Sequence, residues 1–81
     1  MTDTEKAAWG RHFEHLQRLL ADGTLVLAGP TLGETNTGVA IIEAPDEAAA
    51  RRLMAEDPVI AEGFAEGELR AFRIALLRGR D

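Results

Sequence analysis

Two histidines stand three residues apart in "WGRHFEHL", residues 9–16, with a carboxylate, Glu14, between them. Imidazole is the side chain that can both take up and release a proton near neutral pH, so this stretch is the first place to look for chemistry. Three kinds of chemistry are open to such a pair: metal ligation, proton transfer, or none, with the rings merely packed or solvated. A metal centre needs at least three converging ligands. His12 and His15 supply two, and no third residue stands at a suitable spacing, so no metal is expected. The chain has no cysteine, which removes thiolate nucleophiles and disulfides together. No phosphate-binding glycine loop, nucleophile elbow or dinucleotide fingerprint occurs, and no cofactor is expected.

Proton transfer needs a second group to orient the ring. Asp57 of "EDPV" is the carboxylate to consider, because an acid at the C-terminal end of a helix faces the negative pole of the helix dipole and gains from a proton-donating partner. "LAGP", residues 27–30, is a third feature: glycine at a strand end allows close approach to its backbone. The candidate catalytic residues are therefore His12 and Asp57, and Leu16, Gly29 and Pro30 are the candidate pocket.

These groups need elements to hold them. Thr2 and Glu5 fit a capping box, and a helix is expected from about Glu5 to Ala21, stopped by Asp22-Gly23. Counting about 100° per residue from Trp9, the residues Trp9, Phe13, Leu16, Leu19 and Leu20 fall in an apolar arc of about 120°. On that wheel His12 lies inside the arc, whereas His15 lies outside it and is expected at the surface. "TLVLAGP" (24–30) and "VAIIEA" (39–44) read as strands joined by a polar loop. Asp46 caps a second helix, Glu47 to Glu56, with Ala48, Leu53 and Met54 toward the core and Pro58 ending it. "VIAEGF" reads as a short turn. "ELRAFRIALL" (68–77) alternates at period two and reads as a third strand.

The resulting order, α-β-β-α-β, is that of an α+β ferredoxin-like βαββαβ fold without its first strand. Its antiparallel sheet would carry both helices on one face. Side by side there, the helices would bring His12 toward Asp57. Apolar residues on both faces of 68–77 imply that the open sheet face is covered as well, most simply by a second copy of the chain. At 81 residues the chain is expected to be one domain. So small a domain, without disulfides, gains from being a homodimer or higher homo-oligomer.

Composition limits the partners. The 14 acidic residues outnumber the 9 basic ones, and the basic residues are scattered, which argues against nucleic acid. No apolar run approaches the roughly 18 residues of a membrane span. The start, "MTDTEKAAW", lacks the apolar core of a signal peptide, and a cytoplasmic location is expected.

The ordered set of features resembles the YCII-related family. The resemblance rests on His12 followed eleven residues later by Gly23, then "LVLAGP", then "GVAIIEA", an "EAA" helix, and "DPVIAEGF". It covers about residues 9–77. The resemblance implies a ferredoxin-like fold whose sheets pack together in a dimeric α/β-barrel-like assembly. It also implies a site formed by the helix-one histidine and the aspartate of "DP", which are His12 and Asp57 here. Some members are enzymes that dehydrochlorinate hydroxylated ring compounds, and the wider fold group includes lactone isomerases. An acid–base lyase or isomerase is therefore one expectation. A non-catalytic ligand-binding dimer and a module that adds its sheet edge to a partner protein are the others. Two departures stand out. Family members usually open with a strand before helix one, so that strand is either lost here or lies upstream of Met1, and Val59 replaces an aromatic residue often found after "DP".

Overall fold

The computed structural model describes residues 1–79. Its elements are α1 (Asp3–Ala21), β1 (Leu25–Pro30), β2 (Gly38–Ile42), α2 (Glu47–Ala55) and α3 (Pro58–Ala61). The architecture is α+β with a two-stranded antiparallel sheet.

Local signals set the element ends. The Thr2 hydroxyl accepts from the Glu5 N–H at 3.1 Å and starts α1. At its other end Gly23, at φ 86°, occupies the left-handed conformation. This lets Thr24 N–H donate to the Leu19 carbonyl and Gly23 N–H to that of Leu20, the paired bonds of a Schellman motif. Gly63, at φ 80°, does the same for α3, with Phe64 N–H donating to the Val59 carbonyl at 2.8 Å and Gly63 N–H to that of Ile60. The Asp46 carboxylate caps α2 through the Ala49 N–H at 2.8 Å.

β1 and β2 pair from Leu25↔Ile42 to Pro30↔Gly38, with a register shift between Leu25 and Leu27. Pro30 pairs with Gly38 at a position where no ladder bond is needed, so its missing N–H costs nothing there. Helix α1 packs on β1 and on α3, and α2 packs on α3. The innermost apolar residues are Ala8, Leu19, Leu25 and Val59.

Five expectations are corrected, the phase of α1 being the last and largest. Residues 68–77 form no strand, because the segment is not paired with any neighbour. Period-two alternation marks a backbone able to pair, but a strand exists only where a second edge lies within hydrogen-bond reach. Pro58 does not merely end α2. Its fixed φ suits the first position of a helix, and it begins α3 there, where a turn was expected. The two longer helices do not simply lie side by side, since α3 packs against both. Ala48 faces solvent, while Leu53 and Met54 are half-buried.

The largest departure is the phase of α1. His15 is 8% exposed, and Phe13 and Leu20 are 61% and 58% exposed. The buried stripe is Ala8, His15 and Leu19, with His12 half-buried. That face lies roughly 70° around the helix from the centre of the apolar arc. The reason is α3, which packs along this side of α1. Ala8, fully buried and without a bulky side chain, lies on the same side of α1. Among the described residues, no helix is long and apolar enough to cross a membrane.

Candidate functional site

His12 projects from the middle of α1 and Asp57 stands at the junction of α2 and α3, so the two meet only because α3 packs on α1. His12 Nδ1 lies 2.8 Å from Asp57 Oδ1 and 2.6 Å from Oδ2. A carboxylate can only accept, so this contact places the hydrogen on Nδ1, and in the neutral ring the lone pair is then on Nε2.

Asp57 is held from two directions. Its Oδ1 accepts the Val59 N–H at 3.1 Å, which makes it the N-cap of α3. Its charge therefore faces the positive pole of that short helix, and not only the end of α2 as the sequence suggests. The residue is 7% exposed, with every buried side-chain oxygen and nitrogen among the described residues satisfied. The His12 side chain keeps 25% of its surface in solvent. One end of the imidazole is thus anchored in a closed environment while part of the ring stays accessible.

Two neighbours, Trp9 and Arg11, went unnoticed as site residues in the sequence. Trp9 sets its ring against that of His12, with centroids 5.1 Å apart and planes at 81°. This edge-on geometry is favoured between rings and limits rotation of the imidazole. Arg11 reaches across to Glu62 with two bonds, 2.6 and 3.1 Å, forming a second tie between α1 and the end of α3. The pairing i, i+3 for Trp9 and His12 was visible in the sequence. The Arg11–Glu62 pair spans 51 residues and had no local signal.

Leu16 is half-buried one turn along α1 from His12. Gly29 and Pro30 are exposed on β1, paired with Val39 and Gly38, and no side-chain hydrogen bond joins them to the His12–Asp57 pair. His15 is buried and makes no hydrogen bond to the pair. Among the described residues, no three histidine or carboxylate side chains converge in a way that could hold a metal ion.

The family model for the YCII-related domain matches residues 2–73. The chain belongs to this family. The match takes in every element of the YCII-related domain described above and both members of the histidine–aspartate pair. No curated protein and no solved structure matched it.

Proposed function

We propose that this YCII-related domain is an acid–base enzyme of the lyase or isomerase type, acting on a small, ring-hydroxylated organic molecule. His12 Nε2 takes or returns the proton, and Asp57 is the positioning residue that orients the ring and stabilises the imidazolium that forms. The observation that supports this reading is the contact of 2.6–2.8 Å between a ring that keeps a quarter of its side-chain surface in solvent and a buried, doubly bonded carboxylate. In a dehydrochlorination, the base would remove a proton from the substrate as chloride leaves with the bonding electrons. In an isomerisation, the same nitrogen would return the proton at a second atom. Neither step asks the protein for a cofactor.

The working unit is a homodimer. Leu27 and Val39 lie on one sheet face and are 50% and 43% exposed, and a second copy packed sheet to sheet would cover them.

The test is a screen of chlorinated and unchlorinated hydroxy-ring compounds and small lactones, following chloride release and proton exchange. His12→Ala should lower turnover by about 100-fold or more, the range for loss of a general base. Asp57→Asn should cause a smaller loss. Compounds that bind beside His12 without turnover, with equal affinity for His12→Ala, would instead identify a ligand-binding dimer that keeps the fold without the chemistry.

A further inference from the structure

Arg11 and His12 are neighbours on α1, and they reach opposite ends of α3. His12 meets Asp57, the N-cap of that helix, and Arg11 meets Glu62, its C-cap. The two caps stand roughly 7.5 Å apart at the rise of a helix. The other ion pairs among the described residues are local, Glu47 with Arg51 and Glu68 with Arg70. Among the described residues, the His12–Asp57 and Arg11–Glu62 pairs alone join separate elements, and both join α1 to the ends of α3.

Helix α3 does not set its own orientation. It has four residues, and a single helical turn is not stable by itself. Burial of Val59 holds it to the core, but apolar contact is non-directional and leaves the helix able to swing about that point. Asp57 Oδ1 accepts from the Val59 N–H, so the carboxylate moves with the helix. A swing of about 1 Å would take both oxygens out of hydrogen-bond range of His12 Nδ1. At the other end, Glu62 is bonded into the helix, its N–H donating to the Pro58 carbonyl at 3.0 Å. Arg11 grips the Glu62 carboxylate as a fork, Nη1 on Oε2 at 2.6 Å and Nη2 on Oε1 at 3.1 Å. Two such bonds fix direction as well as distance.

We propose that Arg11 and Glu62 are positioning residues for the histidine–aspartate pair. Their ion pair holds the far end of α3 and so keeps the carboxylate at the near end on His12 Nδ1. It contributes little to global stability, because both side chains are open to water, 49% and 34% exposed. What it sets is the angle of α3. Its effect on turnover rests on the acid–base reading above, whereas its effect on the His12 ring does not.

The experiment reads that ring in the full chain. Long-range ¹H–¹⁵N spectra at about pH 9, where histidine is neutral, give separate shifts for Nδ1 and Nε2. The wild type should show one tautomer, with the hydrogen on Nδ1. Arg11→Met keeps an apolar stem and removes the fork. The tautomers should then mix and bring the two nitrogen shifts closer by about half, while the denaturant midpoint moves little. Arg11→Lys keeps the charge as a point donor and should fall between the two. Arg11→Glu with Glu62→Arg rebuilds the pair in reverse and should restore the wild-type spectrum. Should Arg11→Met fail to fold, Glu62→Gln, nearly equal in size, should move the shifts in the same direction. A wild-type tautomer retained in Arg11→Met or Glu62→Gln would overturn the proposal. So would a mixed ring already present in the wild type, or a disturbance that the reversed pair does not undo. A ring disturbed by Arg11→Met, in a chain that turns over none of the screened compounds, would uphold the positioning pair and remove the enzyme. Turnover alongside an undisturbed ring in Arg11→Met would do the opposite.

Discussion

Asp57 serves the helix and the histidine with the same carboxylate, so its replacements separate two roles. Asp57→Ala leaves the Val59 N–H uncapped and His12 without its partner, and should cost roughly 1–2 kcal/mol in urea unfolding. Asp57→Asn keeps an acceptor for Val59 and should cost less. It should still disturb His12, and long-range ¹⁵N spectra would show this as loss of a clean Nδ1–H tautomer. Asp22 offers a pH test at the opposite end of α1. The Thr24 side chain, and then the Thr24 backbone N–H at 2.9 Å, hold its carboxyl below the ordinary range. A lowered carboxyl favours the ionised form in the folded protein. Its contribution is present above the unfolded value and is lost as pH falls through the folded one. Below roughly pH 4 the wild type should lose stability more steeply than Asp22→Asn, as thermal melts across that range would show.

At the scale of elements, the decisive piece is α3, four residues long and held by its ends. Asp57 caps its start, the Schellman bonds at Gly63 close its end, and Val59, 2% exposed, anchors its middle. It packs on α1, whose buried face holds Ala8 and His15 and leaves Phe13 exposed. The chain that follows α3 is kept close by another glycine. A Cβ added at Gly67 would sit 2.6 Å from Met54 Sδ and 2.9 Å from Ile60 Cδ1, so the segment passes in contact with both α2 and α3. The nearest atoms all belong to flexible side chains, which can shift. Gly67→Ala should therefore destabilise by only about 1 kcal/mol, at the low end for overpacking, and a denaturant midpoint will register it.

For the whole molecule, apolar side chains are distributed unevenly. Four hydrophobic residues are buried, whereas twelve large ones, from Met1 to Leu77, are exposed among the described residues. The proposed dimer would cover part of this surface. The sheet face and the α1 stripe of Trp9, Phe13 and Leu20 are separate surfaces, and their variants should behave differently. Leu27→Glu places a charge on the sheet face proposed for dimerisation. Light scattering should show the wild type as a dimer at micromolar concentration and this variant shifted to monomer.

Membership of the YCII-related family, the α+β class, and the positions of α1, α2 and both strands were legible from residues close together in sequence. Thr2, Gly23 and Asp46 act within four residues of themselves, so hydrogen bonds at helix ends need no knowledge of the rest of the fold. His12 could be named a candidate from its helical phase, but the same wheel misplaced His15. The apolar arc predicts the buried face only when burial follows hydropathy, and here the position of α3 chose the face. Alternation in 68–77 described a segment able to pair without saying whether an edge would be in reach. His12 and Asp57 are 45 positions apart, and their contact depends on the chain turning back through both strands and α2. Short-range chemistry determined where each element begins and ends. Packing between distant elements decided which side chains they present to one another, because that depends on distances no local pattern contains.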